Sequence, residues 1–121
     1  MSKQELGGKK YDDGKLRYDL LPVEALQEVV KVFSEGAKKY GDRNWEKGIV
    51  YHRLYAASQR HLAQFLMGRP LDDELSTHHV ANAVVNLLML LQFELEGRGK
   101  ELNDLTKNHR LPPNMIIKAK D

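Results

Sequence analysis

The most informative segment of the sequence is residues 76–96, which read STHHVANAVVNLLMLLQFELE. Apolar residues occur on nearly every side of a helix drawn through it, which predicts a helix that is buried over most of its surface. Ser76 or Thr77 is expected to cap the first turn, because a side-chain oxygen can accept a hydrogen bond from a free backbone N–H. The segment is too short and too polar to span a membrane, so we expect it to be the central helix of a bundle.

Two more helices are predicted upstream of this segment. Apolar residues at helical spacing, among them Leu26, Val30 and Phe33, predict a first helix over about 22–40, with Gly41 as its terminator. A second helix is predicted over about 51–67. Helices of this length with short links predict an all-α fold, a small bundle of three to five helices. A chain of 121 residues buries only a small core, so we expect oligomerisation to complete the bundle.

The distribution of glycine, proline and charge predicts three regions along the chain. Residues 1–19 are polar and glycine-rich, which is typical of an arm with little structure of its own. Residues 20–99 hold the predicted helices and form the helical domain. Residues 100–121 form a C-terminal tail that we expect to be partly helical or extended.

The composition excludes several classes of function. Nineteen basic and 17 acidic residues give a formal net charge of +2, too little for a surface that grips long nucleic acid. The absence of cysteine excludes disulfides, thiolate nucleophiles and cysteine-based zinc sites. The sequence shows neither a signal peptide nor a membrane span, so we expect a cytoplasmic protein without membrane association.

A polar stripe on the third predicted helix is the strongest candidate for a site. His79, Asn82 and Asn86 stand at positions i, i+3 and i+7 and therefore share one face. Buried polar groups must be hydrogen-bonded, so this stripe is either a pocket wall that contacts a polar ligand or metal, or a set of core residues that ties helices together. The residues alone leave both interpretations open.

The second predicted helix carries a basic face. Arg53 and Arg60 lie two turns apart, roughly 10 Å, a separation that suits two phosphates of one nucleotide. The alternative is a solvated face with surface ion pairs. His61 lies on the neighbouring apolar face, a position more typical of a core residue than of a ligand.

Carboxylates and one aromatic residue supply further candidates. Asp72, Asp73 and Glu74 offer the oxygen ligands that suit Mg²⁺ or Mn²⁺, although they also suit a helix N-terminus electrostatically. Glu35 is either a surface partner of nearby lysines or a metal ligand that faces a pocket. Trp45 could stack on a base or anchor its loop to the core.

Several blocks of this sequence form a distinctive pattern. They are KLRYDLLP at 15–22, GAKKYGDRNW at 36–45 and RHL at 60–62, followed by Asp73, His79, Ala81, Ala83 and Asn86. Together these blocks resemble the phage-encoded dATP/dGTP diphosphohydrolase family, which is often grouped with MazG-like nucleotide pyrophosphatases. The resemblance covers about residues 9–96.

The resemblance implies an all-α, usually oligomeric protein that hydrolyses purine deoxynucleoside triphosphates to the monophosphate and pyrophosphate with Mg²⁺ or Mn²⁺. It also implies roles for individual residues. The residues that would hold the substrate are Lys38, Lys39, Arg53, Arg60 and Asn82 for phosphate and polar groups, and Asn44 and Trp45 for the base. The implied catalytic residues are Asp73, His79 and Asn86, near the metal or the attacking water. The metal ligands that we predict from the carboxylates of this sequence are Glu35, Asp73 and Glu74.

One departure from the MazG-like pattern motivates a second hypothesis. Those enzymes usually carry paired acids, Glu-x-x-Glu and Glu-x-x-Asp, that bind the metal. Here Glu35 is followed at i+3 by Lys38, and His79 is followed at i+3 by Asn82. The protein therefore either uses another ligand set or binds a nucleotide without cleaving it, for instance to sequester a cyclic nucleotide signal in phage counter-defence. A helical interaction module without a ligand is a third hypothesis.

Overall fold

The computed structural model of the protein describes residues 6–74, 76–106 and 111–117. The helices in these ranges are α1 (Val23–Tyr40), α2 (Tyr51–Leu66), α3 (His79–Leu95) and the short α4 (Gly99–Leu102). Three 3₁₀ turns accompany them, at Tyr18–Leu20, Asn44–Lys47 and Pro113–Met115. Over the described ranges, β pairing is limited to an isolated bridge between Leu71 and His78. The prediction of a small all-α bundle is confirmed. No helix in the described part of the chain has the length and apolarity to cross a membrane.

Helix α3 lies at the centre of the bundle and packs against both α1 and α2. Val29 and Val32 of α1 pack on Ala81 and Val85 of α3 and form the first core cluster. The second core cluster joins α2, α3 and α4. Its buried members are Tyr51, Leu54, Phe93 and Leu102. Met89 packs against both clusters, so α3 links the two halves of the core.

The buried face of α1 differs from the one that its apolar spacing predicts. Val29 and Val32 are buried, whereas Leu26 and Val30 remain 44% and 53% exposed. The bounds of α1 agree with the prediction, since Gly41 follows its last residue at φ +95°, a backbone conformation that favours glycine. Periodicity therefore located the helix but did not select which of its apolar residues meet α3.

The link between α2 and α3 folds back on itself. It is held by the β-bridge between Leu71 and His78 and by two further backbone hydrogen bonds. The Asp72 N–H donates to the Thr77 carbonyl at 2.8 Å, and the His79 N–H donates to the Pro70 carbonyl at 2.8 Å. The residue that caps α3 is His78, whose Nδ1 accepts from the Val80 N–H at 3.1 Å, rather than Ser76 or Thr77. Thr77 is buried and accepts a bond from Asn82 instead.

The predicted terminal regions are described in part. Residues 6–19 of the arm are exposed, and residues 1–5 lie outside the described chain. In the tail, the Ile117 N–H donates to the Leu95 carbonyl at 2.7 Å, which places residues 111–117 against the end of α3. Residues 107–110 and 118–121 lie outside the described residues, and the division into three regions stays a prediction.

Candidate functional site

A cleft of about 810 Å³ lies between α1 and α2, and α3 forms its floor. Its volume falls within the range of small-molecule sites, roughly 300–1,000 Å³. The 3₁₀ turn Asn44–Lys47 and the residues around it close one side. The predicted site residues that line the cleft are Glu35, Lys39, Asn44, Trp45, Arg53, Asn82 and Asn86.

Basic side chains concentrate along the walls of this cleft. Lys39 and Arg43 line it, each in an exposed ion pair of 3.2 Å, with Glu74 and Glu46 respectively. Such exposed pairs are weak, so a phosphate can compete for these cations. Arg53 forms no ion pair with another described residue.

An adjoining depression of about 420 Å³ extends the cleft. It shares Arg53 and Asn86 with the cleft and adds Arg60. Arg53 and Arg60 are therefore placed along one continuous groove. Lys38 is not part of either lining; its side chain is 75% exposed, and its Nζ contacts Glu35 at 3.2 Å.

The floor of the cleft carries two amides. Asn82 is buried, and its Nδ2 donates to Thr77 Oγ1 at 2.8 Å and to the His78 carbonyl at 3.0 Å. Asn86 donates from Nδ2 to the Asn82 carbonyl at 2.9 Å. The side-chain Nδ2 atoms of both residues donate hydrogen bonds within the bundle. The side-chain oxygen Oδ1 of each residue is therefore the atom that could accept a hydrogen bond from a ligand in the cleft.

A histidine pair adjoins the cleft at the junction of α2 and α3. His61 Nδ1 and His79 Nδ1 are 2.8 Å apart, and their ring centroids are 5.1 Å apart. His61 lines the cleft and is half-buried, whereas His79 is buried. Asp72 completes the group, and one ligand atom from each residue lies within 4.8 Å of the others. Burial, and then the neighbouring His79, lowers the pKa of His61. The neutral imidazole, which can bind a metal, is thereby favoured.

The predicted metal ligands do not converge. Glu35 lines the cleft but pairs with Lys38, and Glu74 pairs with Lys39 with 70% of its side chain exposed. Asp73 is exposed and does not line the cleft. Within the described residues, the group of three potential ligands that does converge is His61, Asp72 and His79. The ligand roles of Glu35, Asp73 and Glu74 stay predictions.

Trp45 anchors its loop to the core, which is one of the two interpretations that the sequence left open; its role as a stacking surface for a base stays a prediction. Its ring lies 6.3 Å from that of Phe33 and 5.6 Å, edge-on, from that of Phe93, so it anchors the 3₁₀ turn to the core. It also lines the cleft.

Sequence reasoning did not identify His61 as part of a site. Its apolar neighbours on α2 favoured a core role, and its partner His79 lies 18 positions away on another helix. A histidine on each of two predicted helices was the available signal. It was not sufficient without the register in which α2 and α3 pack.

Known proteins provide independent information about this chain. Residues 5–104 match the family described as "dATP/dGTP diphosphohydrolase, N-terminal". Over 83 residues the chain is 35% identical to a dATP/dGTP diphosphohydrolase of Salmonella phage PMBT28. That alignment covers 69% of this chain but 28% of the phage protein, so the chain spans under a third of that relative's length. No solved structure matches the chain. Because the family match extends over most of its length, this chain belongs to the dATP/dGTP diphosphohydrolase N-terminal family.

Proposed function

We propose that this chain binds a purine deoxynucleoside triphosphate in the cleft between α1 and α2 and hydrolyses it to the monophosphate and pyrophosphate. The observation that carries the proposal is the cleft itself, which has the volume of a nucleotide site and basic residues along its walls. The name of the phage relative, dATP/dGTP diphosphohydrolase, supports the choice of substrate.

The basic residues of the cleft fit the triphosphate. Lys39 and Arg53 line the cleft, and Arg60 lies farther along the same groove, so the three cations can spread over successive phosphates. Lys38 lines neither part of the groove and could reach the phosphates only after it leaves Glu35.

The remaining lining residues suit the base and sugar. Asn44 and Trp45 lie on the 3₁₀ turn at one side of the cleft, where an amide can bond a base edge and an aromatic ring can pack on its face. Asn82 and Asn86 present amide oxygens from the floor, which suit hydroxyl or amino donors of the substrate.

The chemistry requires water to attack the α-phosphorus while the bond to the bridging oxygen of pyrophosphate breaks. A divalent cation, Mg²⁺ or Mn²⁺, would neutralise phosphate charge and favour ionisation of the attacking water. Residues of the chain would hold the leaving pyrophosphate by charge, which is the role proposed for Arg53 and Arg60. His79, Asn86 and Asp73 stay the predicted catalytic residues.

The test is a product assay with the four dNTPs and the four NTPs, in Mg²⁺ and in Mn²⁺, that reads monophosphate and pyrophosphate. We expect turnover of dATP or dGTP. Replacing Arg53→Ala would remove a charge-assisted hydrogen bond of about 1.5–3 kcal/mol, which lowers kcat/KM by about 10- to 150-fold. Lys31→Ala is the matched control, because Lys31 pairs with Glu28 outside the cleft.

Two results would contradict the proposal. Equal losses of kcat/KM in the Arg53→Ala and Lys31→Ala variants would mean that the cleft is not the site of the reaction. Tight nucleotide binding without product, by protein shown to be folded, would instead support the non-catalytic nucleotide-binding hypothesis.

A further inference from the structure

His61, Asp72 and His79 form a group that the sequence did not predict as one ligand set, although it pointed to Asp72 as an oxygen ligand and to His79 as a catalytic residue. Its members come from three segments: α2, the link before α3, and the first residue of α3. Each offers a ligand atom within 4.8 Å of the other two. None of the three is fully exposed, and His79 is buried.

The separation of the two histidines matches that of two ligands on one ion. A metal–nitrogen bond of about 2.0–2.1 Å places two adjacent nitrogens about 3 Å apart in octahedral geometry. The Nδ1 atoms of His61 and His79 are 2.8 Å apart. The two rings therefore need little movement to bind one ion, and Asp72 needs a change of side-chain position to close the third contact.

The hydrogen bonding of the pair is compatible with an exchange for a metal. Two Nδ1 atoms can bond each other only if one carries a proton and the other accepts it. A cation between the rings would take the place of that proton. With each neutral ring protonated at Nε2, the lone pairs of both Nδ1 atoms can bind the cation.

The backbone around Asp72 holds its carboxylate near the pair. The Asp72 N–H bonds the Thr77 carbonyl at 2.8 Å, and the His79 N–H bonds the Pro70 carbonyl at 2.8 Å. One Asp72 oxygen, Oδ1, accepts from the Glu74 N–H at 2.9 Å, which orients the carboxyl group.

We infer that His61, Asp72 and His79 form a binding site for a first-row transition-metal ion such as Mn²⁺ at the edge of the nucleotide cleft. Two imidazoles and one carboxylate suit ions of this class, whereas Mg²⁺ prefers oxygen ligands. Three protein ligands leave coordination positions open, and His61 itself lines the cleft. The role of these open positions rests on the proposed function. With a nucleotide in the cleft, they would be available to a phosphate oxygen or to water.

The test measures metal binding without nucleotide. Mn²⁺ is titrated into metal-free protein and followed by electron paramagnetic resonance, and Co²⁺ is followed by its visible absorption. We expect one ion per chain, a higher melting temperature with Mn²⁺ because the ion joins α2 to α3, and weak competition by Mg²⁺. His61→Ala and Asp72→Asn are each expected to weaken binding by about 10-fold or more.

Two further variants make the test specific. Glu74→Gln probes the alternative carboxylate ligand set, and Glu28→Gln is a matched exposed carboxylate on α1 that pairs with Lys31. Circular dichroism and a melting curve establish that each variant is folded. The inference is overturned if the His61 and Asp72 variants bind Mn²⁺ like the unmodified chain, or if Glu74→Gln alone abolishes binding.

The two proposals fail in distinguishable ways. Hydrolysis of dNTPs by protein that binds no Mn²⁺ through His61 would refute the metal site and leave the proposed function standing. Mn²⁺ binding that depends on His61 and Asp72, without hydrolysis, would support the metal site and refute the proposed function.

Discussion

The first turn of α2 is capped by a side chain from a distant part of the chain. Helix α2 begins after Val50, which has no side-chain oxygen to cap it. The Asp104 carboxylate takes this role: Oδ1 accepts from the His52 N–H at 2.8 Å, and Oδ2 contacts the His52 ring. A carboxylate at this position also interacts favourably with the positive end of the α2 dipole. The pair joins the segment after α4 to the first turn of α2.

This contact predicts a contribution to acid stability. The side-chain hydrogen bond with His52 is the largest cause that lowers the pKa of Asp104 below its ordinary value of 3.8. A carboxyl group whose pKa is lowered on folding stabilises the protein above its ordinary pKa, and this stability is lost as the pH falls through the lowered value. We therefore expect Asp104→Asn to be less stable than the unmodified chain near neutral pH, with the difference shrinking below pH 4. Urea unfolding across a pH series measures it.

The matched control for that measurement is Asp13→Asn on the exposed arm, which should follow the unmodified chain at every pH. A constant difference between Asp104→Asn and the unmodified chain down to the lowest pH would contradict the assignment.

The 3₁₀ turn Asn44–Lys47 is held in place by Arg98, a residue about 50 positions later in the chain. Arg98 donates from Nη1 to the Glu46 carbonyl at 2.6 Å and from Nη2 to the Lys47 carbonyl at 3.1 Å. Its guanidinium also lies over the Phe93 ring at 5.0 Å. This clamp and the Trp45 contacts fix the side of the cleft to which the base is assigned.

Gly48 ends this turn and permits the clamp. Its φ is +115°, and an added Cβ would lie 2.7 Å from Arg98 Nη2. We expect Gly48→Ala to lower the free energy of unfolding by about 1–3 kcal/mol, through backbone strain and displacement of Arg98. Urea unfolding monitored by Trp45 fluorescence measures the loss.

Gly36→Ala provides the control for this substitution. Gly36 lies within α1 at an ordinary helical φ, and an added Cβ would meet nothing within 4 Å. This variant should be neutral or more stable, by about 0.5–1 kcal/mol. Similar losses of unfolding free energy in both variants would mean that contact with Arg98 is not what destabilises the Gly48→Ala variant.

At the scale of the whole molecule, α3 carries more apolar surface than one chain covers. Phe93 is fully buried, but Leu87, Leu88 and Leu91 are 52%, 41% and 52% exposed. These positions lie at i, i+1 and i+4 and share one side of the helix. An exposed leucine patch on the central helix supports the prediction of a homo-oligomer, since such a patch is typical of an interface.

We expect the protein to self-associate through this leucine patch. Leu91→Lys should shift the mass measured by light scattering toward the monomer, because a charge at an apolar interface loses its hydration. Leu66→Lys is the control, since Leu66 is an exposed leucine on a different helix, at the end of α2, and is 83% exposed. A monomeric mass for the unmodified chain at every concentration would refute the prediction.

The helices, and several residues that line the cleft, could be predicted from the amino-acid sequence alone. Periodicity and glycine terminators located α1, α2 and α3, because these signals act within a few residues along the chain. The polar stripe of Asn82 and Asn86 and the basic Arg53 pointed to residues that do line the cleft. Their chemistry is visible without knowledge of their neighbours.

The folded structure alone shows which residues meet across helices. It buried Val29 and Val32 of α1 instead of Leu26 and Val30. It also brought His61 to His79, and Asp72 to both, while Glu35, Asp73 and Glu74 stayed apart from that group. Side-chain spacing fixes positions on one helix, whereas the rotation and register of packed helices depend on how whole faces interlock. A ligand set contributed by three segments is therefore a property of the packing, and no single segment encodes it.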